Sequence, residues 1–418
     1  MSCTQKRLQR ILEQAYEQVP YFNGVINDLI DEPSDINPTL LKKIPTFSKQ
    51  DICSVGWENF VSGKFLKNDY SVNIDADIRL ERTSGTTGNP MQILWKNSDY
   101  FASSRFHWQY RFKNFGITPN SRMCTTLRNL PGNDIYYINN KKNKFVFSIM
   151  RFNRETVTHI FAKLNEYQPE WLYIQNSVLY VLTYFAKKYR LKFPKSIRYI
   201  EFIGEPICNY YREKIHEIIP APSSNMYGCV ETNGISYECQ FGNNHIISDN
   251  VLLEIVDTHG HPIPDGNIGY VCVTGLHNTG MPMIRYRLND LATIKKQVCN
   301  CNNKNPIIDV KAGRMTEFLL LDDAAVFDKA KLFCPINAGL SYFKPKAHDL
   351  IFNLKMNTLD NYELLVLKND HHSSDISQIV REMFNLYQLP NIRFSIKYTK
   401  HVDQALPIGL LRLKEVIS

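Results

Sequence analysis

The sequence predicts an α/β fold, with a large N-terminal domain of mixed sheets and helices followed by a small α+β domain. Strand and helix patterns alternate between Thr156 and Ile219, which points to a sheet with helical crossovers. The 418 residues exceed what one hydrophobic core usually serves. After residue 315 about a hundred residues remain, enough for a small domain. The expected division is therefore 1–314 and 315–418.

Residues 5–19 carry Leu8, Ile11, Leu12, Ala15, Tyr16 and Val19 at helical spacing among Lys, Arg, Gln and Glu, an amphipathic helix whose apolar face serves packing. Met91–Trp95 reads as a short strand and Tyr100–Phe112 as an aromatic-rich helix. Its Phe101, His107, Trp108 and Phe112 fit a pocket lining or plain core, the commoner use of such a stripe. Thr156–Tyr167 is a helix ended by Gln168-Pro169, Trp171–Ile174 a strand, Val178–Tyr189 a helix and Ile197–Ile203 a strand. That last strand runs into Gly204-Glu205-Pro206 and the helix Tyr210–Ile219; open α/β sheets place ligand sites at such carboxyl ends. Val251–Val256 and Gly269–Thr274 are strands around a Pro- and Gly-containing turn. Beyond residue 315, Asp349–Met356, Tyr362–Lys368 and Ile392–Tyr398 are strands and Ile376–Tyr387 is helical, the order of a small α+β unit.

Composition narrows the partners. The chain is 44% hydrophobic and 22% charged, an ordinary globular balance. Its net charge of +8 comes from scattered basic residues, densest at 139–144, so no nucleic-acid stripe forms and a nucleotide or CoA-like polyanion fits. The apolar run Trp171–Ala186 is broken by Gln175 and Asn176 and is too short to cross a bilayer. The N-terminus lacks a signal-peptide layout. The expected compartment is the cytoplasm, with no membrane partner and with the ten cysteines as thiols or metal ligands rather than disulfides.

Two clusters carry candidate chemistry. Arg82-Thr83-Ser84-Gly85-Thr86-Thr87-Gly88-Asn89-Pro90 combines hydroxyl donors with glycines. Such a loop can cradle an anion with successive N–H groups, and it can equally be a polar surface loop. The Walker spacing is absent. Cys239-x5-His245 and Cys299-x-Cys301 form two pairs of soft ligands some distance apart, the layout of a closed tetrahedral zinc site. Four unrelated side chains would give the same spacing. Cys3, Cys53, Cys124, Cys208, Cys229, Cys272 and Cys334 have no such partners and read as packing residues.

Taken in order, the motifs resemble the adenylate-forming superfamily, and in particular its phenylacetate–CoA ligase branch. The opening Arg7–Tyr21 with Val-Pro-Tyr, and then Leu41-Lys-Lys-Ile-Pro45, is similar to the start of that branch. The 82–90 stretch resembles the phosphate loop, implying that Thr83, Ser84, Gly85, Thr86, Thr87 and Gly88 bind ATP. Gly204-Glu205-Pro206 matches a turn near the adenine. In Tyr227-Gly228-Cys229-Val230-Glu231 the resemblance implies that Tyr227 packs on adenine beside Gly228 and that Glu231 binds Mg²⁺. A hard cation on a triphosphate does prefer oxygen ligands. Met281-Pro-Met-Ile-Arg-Tyr-Arg-Leu-Asn-Asp290 resembles the branch motif whose Asp holds the ribose hydroxyls, and Gly313-Arg314 the pair that ends the large domain. Glu231, Arg314 and Thr86 are the implied catalytic residues. Some members of the branch bind zinc with ligands where Cys239, His245, Cys299 and Cys301 stand. The implied activity joins a carboxylic acid, plausibly aromatic, to the thiol of CoA or of a carrier-protein phosphopantetheine through an acyl-adenylate, and residues 315–418 become a mobile lid.

The chain departs from the family near its end. The lid motif Pro-x-x-x-Gly-Lys supplies a lysine, but with the glycines aligned Leu410 follows Gly409 here. Removing a cation aimed at developing charge costs on the order of 10²–10³ in rate. Asn89 likewise replaces a common loop lysine. Acyl or thiol transfer without adenylation, or binding without catalysis, is therefore the alternative to full ligation.

Overall fold

The computed structural model describes residues 2–73, 77–83, 91–127, 130, 134–148, 154–205, 207, 209–312, 318–320, 326–328, 352–358, 361–367 and 393–399. In chain order the helices and strands are α1 (Cys3–Gln18), α2 (Pro20–Asn27), α3 (Lys49–Val55), β1 (Ile78–Arg82), β2 (Gln92–Lys96), α4 (Asn97–Phe115), β3 (Met123–Leu127), β4 (Tyr136–Asn139) and β5 (Lys144–Ser148). Next come α5 (Arg154–Tyr167), β6 (Trp171–Ile174), α6 (Asn176–Tyr189), β7 (Tyr199–Ile203), α7 (Asn209–His216), β8 (Ser223–Cys229), β9 (Asn233–Glu238) and β10 (Asn244–Ile246). The remainder is β11 (Val251–Val256), β12 (Gly269–Gly275), β13 (Tyr286–Lys295), β14 (Ile307–Ala312), β15 (Phe318–Leu320), β16 (Val326–Asp328), β17 (Phe352–Thr358), β18 (Asn361–Leu367) and β19 (Arg393–Thr399). Among the described residues the expected elements recur, most with shifted ends, and Trp171–Ile174 and Val251–Val256 recur unshifted.

These elements form two compact units, each discontinuous in sequence: Met1–Gly116 with Met226–Met315, and Ile117–Asn225 with Thr316–Ser418. The break at 315–316 falls beside the expected domain end, and 117–225 groups with the C-terminal residues.

In the first unit, strands run in the order β11-β12-β13-β14-β10-β9-β8, every neighbour antiparallel. The hairpin β1–β2 stands apart as its own two-stranded sheet. Helix α1 opens with a capping box, Ser2 accepting from the Gln5 amide and Gln5 reaching back. Its stripe Leu8, Ile11, Leu12 and Ala15 is buried in one core with Phe22, Phe47, Phe60, Trp95, Ile235 and Met283. The N-terminal helix therefore packs as its spacing predicts.

The second unit carries the crossover sheet. Strands β7-β6-β3-β5 are all parallel and β4 closes the edge antiparallel to β5. Helix α5 joins β5 to β6 and α6 joins β6 to β7, as parallel pairs require. Phe147, Ile160, Trp171, Ile174, Leu179 and Phe202 are buried there. Gly204 ends β7 at φ +75, a backbone that favours glycine, and begins the Gly204-Glu205 turn. Farther on, β17 pairs antiparallel with β18, which pairs parallel with β19. Pro206, Gly313, Arg314, Leu410 and the helix expected at Ile376–Tyr387 lie outside the described residues. No helix among the described residues is long and apolar enough to cross a membrane.

Helix α4 carries a polar anchor on its buried side. His107 is buried, and its Nε2 accepts from the Gly234 amide at 2.9 Å. Ser103 donates to Asn250 Oδ1 at 2.7 Å and accepts from Asn233 Nδ2 at 3.1 Å. The aromatic stripe is thus split: Phe101 and Phe112 are each 64% exposed, while His107 is a hydrogen-bonded core residue. Burial, helped by the nearby Arg111, pushes His107 down to about 3. The unfolded chain then binds a proton near pH 6.5 that the folded chain refuses. Stability is therefore whole above about pH 6.5 and declines toward pH 3, by at most about 1.4 kcal/mol per pH unit for this one group. Chemical denaturation at stepped pH, compared between wild type and His107→Gln, should show a shallower acid slope in the variant.

Candidate active site

The site in the first unit is built by one hairpin and one long strand. The β8–β9 hairpin carries Tyr227 and Gly228 in β8 and Glu231 in its turn. Strand β13 carries Tyr286 and Asp290, four residues apart, with a register shift against β12 between Arg287 and Leu291. Tyr227 donates its hydroxyl to Asp290 Oδ2 at 2.7 Å, across 63 residues of sequence. Tyr286 donates to Glu231 Oε1 at 3.1 Å. In a flat sheet β13 and β8 would stand four strand spacings apart, about 19 Å. The contacts therefore require the sheet to curl, as twisted sheets do, and the curl assembles the site.

Gly228 is dictated by the hairpin. A Cβ on it would lie 2.5 Å from Asn233 O and 3.0 Å from the Gly234 Cα, both backbone. Register shifts between Tyr227 and Gly228, so the turn that follows projects Glu231. Several groups hold that turn. Trp95 Nε1 donates to Val230 O at 3.2 Å, and Asn250 Nδ2 donates to Thr232 O at 2.9 Å and to Gly234 O at 2.7 Å. The α4 anchor at His107 and Ser103 supports the same turn. Trp95, Asn250 and Ser103 are functional supports that sequence reasoning missed, for their partners lie far off in sequence with no local pattern. Tyr286 was also missed, although it stands inside the Arg-Tyr-Arg motif.

The electrostatics suit a binding site. Desolvation, with Asp290 next and Glu231 contributing, raises the Tyr227 hydroxyl well above the ordinary tyrosine value, so it stays a donor. Burial and Glu231 do the same to Cys229, whose thiol sits 3.2 Å from Thr232 Oγ1. Glu231 is buried, and one buried carboxylate is a donor suited to Mg²⁺ carried on nucleotide phosphates, which keeps much of its water. Thr83 closes the stem of the Ser/Thr/Gly loop: its amide donates to Met91 O at 2.9 Å and its Oγ1 accepts from Met91 N at 2.8 Å. Ser84, Gly85, Thr86, Thr87, Gly88 and Asn89 lie outside the described residues. Gly204 and Glu205 belong to the second unit, at the carboxyl end of β7.

The four soft ligands meet as their spacing suggests. The Cys239, Cys299 and Cys301 Sγ atoms and one nitrogen of His245 all lie within 4.8 Å of one another. Cys239 and Cys299 sulfurs are 3.7 Å apart. Two thiolates on one tetrahedral zinc, each at about 2.3 Å, stand about 3.8 Å apart. His245 Nε2 is 3.2 Å from Cys301 Sγ, while its Nδ1 is 2.9 Å from Asn305 O, the outer partner that fixes a ligating imidazole. The donor set fits zinc and has the composition of a closed Cys₃His site. Of the other cysteines, Cys124 and Cys272 are buried as expected, whereas Cys3 and Cys53 are exposed rather than packed.

The hairpin geometry makes Gly228→Ala informative. The new methyl must push the facing strand away, at about 1–3 kcal/mol. Expected outcomes are a lower unfolding midpoint and weakened nucleotide binding, measured by denaturant melts and by calorimetry with ATP; wild-type affinity would contradict the geometry.

The chain has recognisable relatives among known proteins. The family model described as "AMP-binding enzyme" matches residues 82–281. The chain is 22% identical over 334 residues to a phenylacetate–coenzyme A ligase of Thermus thermophilus, covering 77% of this chain and 72% of that one. It is 24% identical over 340 residues to the phenylacetate–coenzyme A ligase of Escherichia coli, with the same coverage of 77% and 72%. Among solved structures it is similar to 2-hydroxyisobutyryl-CoA ligase, with a TM-score of 0.71 at 16% identity over 95% of this chain and 85% of that one. An anthranilate CoA ligase follows at a TM-score of 0.56 and 13% identity, covering 83% of this chain and 68% of that one. The two structural likenesses bear on the fold. Family match, relatives and motif order together make the chain similar to AMP-binding enzymes of the adenylate-forming superfamily, and within them to the phenylacetate–CoA ligase-like branch.

Proposed function

We propose that the protein activates a small carboxylic acid, with an aromatic acid as first choice, to an acyl-adenylate and passes the acyl group to a thiol. The observation that carries this reading is the Tyr227–Asp290 hydrogen bond of 2.7 Å with Glu231 four residues beyond Tyr227. It gathers in one unit a ring suited to face a nucleoside, a carboxylate suited to ribose hydroxyls and a carboxylate suited to a metal. The aromatic choice rests on the phenylacetate named in the relatives. In the first step the acid's carboxylate oxygen attacks the α-phosphorus and pyrophosphate leaves. In the second the thiol sulfur attacks the acyl carbonyl and AMP leaves. Asp290 would accept the ribose hydroxyls and Tyr227 would cover the adenine. The donors of Thr83–Gly88, with Thr86 and Arg314, would hold the phosphates. Glu231 would hold Mg²⁺, which would supply charge neutralisation on the phosphates.

The acceptor thiol is that of CoA, or of a carrier protein's phosphopantetheine. Residues 1–314 would be the ATP- and acyl-binding domain and 315–418 the lid, in the cytoplasm. Leu410 supports a second reading, in which adenylation is lost and acyl or thiol transfer, or binding within a biosynthetic pathway, is kept. The purified protein should release AMP from ATP with a matching aryl acid and CoA or a carrier protein. AMP from a Leu410→Lys variant alone, assayed beside it, would select the second reading.

We assign the Cys239, His245, Cys299 and Cys301 cluster to one structural zinc. Four protein ligands leave it no open position for catalysis. Metal analysis of protein made in zinc-replete medium should give close to one zinc per chain. Cys299→Ser with Cys301→Ser should lose the zinc and melt at lower temperature. Metal-free wild-type protein would refute the assignment.

A further inference from the structure

We propose that Tyr286 is a positioning residue for the metal-binding carboxylate, and that Arg285 anchors it through the N-terminal segment. The proposal rests on the reading of Glu231 as the Mg²⁺ ligand.

Tyr286 is buried, and its hydroxyl donates to Glu231 Oε1 at 3.1 Å. A carboxylate tethered at one oxygen by a buried phenol loses rotation about its last bond, so its orientation is set before a cation arrives. The Tyr286 ring is itself held. It packs on Phe47 at 5.3 Å between centroids, Phe47 stacks on Phe60 at 5.3 Å, and Phe22 lies edge-on to both. These rings belong to the N-terminal region, whose helix the sequence assigns to packing alone.

The backbone beside Tyr286 is fixed with equal care. Arg285 adopts φ +55, a left-handed conformation uncommon for a residue with a side chain. Five contacts hold it there. Its amide donates to Thr274 Oγ1 at 2.9 Å, and its guanidinium donates to Glu254 at 3.0 and 3.4 Å, to Ile44 O at 2.7 Å and to Gly260 O at 3.0 Å. On either side of Tyr286, Phe47 N donates to Arg285 O at 3.3 Å and Arg287 N donates to Phe47 O at 2.7 Å. Gly260 closes the junction from below, where a Cβ would sit 2.2 Å from Thr46 Oγ1. The Ile44–Phe47 segment, the 257–260 turn and Arg285–Arg287 thus form one clamp whose output is the Tyr286 hydroxyl. A strained residue held by so many contacts suits placement of a site better than bulk stability.

Calorimetric titration of a non-hydrolysable ATP analogue at rising MgCl₂ reads the coupling of metal to nucleotide without needing the acid. Wild type should show Mg²⁺-enhanced affinity and Glu231→Gln should lose the enhancement. Tyr286→Phe should lower the enhancement about tenfold, the worth of a hydrogen bond to a charged group, and keep the metal-free affinity, with a modest fall in melting temperature from the lost bond to a buried carboxylate. Arg285→Lys, which cannot reproduce the forked contacts, should lose part of the enhancement. A purely packing role would lower the melting temperature and leave the enhancement intact. Wild-type Mg²⁺ enhancement in Tyr286→Phe overturns the positioning role while the metal assignment stands. No enhancement in wild type, or retention of it in Glu231→Gln, overturns the metal assignment and the positioning role with it.

Discussion

Glu231 is a carboxylate in the protein interior, placed in the turn of a hairpin. Burying such a group is costly unless it is hydrogen-bonded or meets a cation. The surrounding structure answers that cost. Tyr286 donates to one of its oxygens, while Trp95, Asn250 and His107 donate to or accept from the backbone of the turn that carries it. Each support comes from a different element, so the β2 strand, the α4 helix, the loop after β10 and the β13 strand must all be in place before the carboxylate is. The core of the first unit can be understood as the scaffold for this one turn.

The same constraint explains two residues that look incidental. Gly228 permits the close approach of Asn233 and Gly234 that tightens the turn. Asn250, fully buried, spends its side chain on two carbonyls that the hairpin would otherwise leave without a buried partner. A second rigid point, the Cys₃His cluster, joins the end of β9 and strand β10 to the loop before β14. A metal there would tie three stretches of the curled sheet together, and curl is what brings β13 to β8.

Much of this was legible in the chain. Strand–helix alternation between Thr156 and Ile219 gave the crossovers of the second unit, because each element has its own period. Leu8, Ile11, Leu12 and Ala15 gave a helix face that is buried. Tyr227, Glu231 and Asp290 stand out as candidates through the local spacing of the motifs they resemble, and the fold brings Tyr227 to Asp290. The cysteine pairs stand out through local spacing in the same way. Less legible was the split of the α4 stripe: helical periodicity places Phe101, His107, Trp108 and Phe112 near one another without saying which of them meets a partner.

The residues themselves determined which groups could bind a nucleotide, a hard cation or zinc, since carboxylates, phenols, thiols and imidazoles carry that chemistry wherever they stand. The folded chain decided which of them meet. The 63-residue separation of Tyr227 and Asp290 closes to 2.7 Å because an antiparallel sheet curls, a property of backbone twist summed over many strands. Tyr286 became a partner of Glu231 for the same reason, and Arg285 became a clamp because three distant segments present carbonyls and a carboxylate to one guanidinium. Periodicity and motif spacing act over a few residues; those long-range meetings depend on how whole sheets bend.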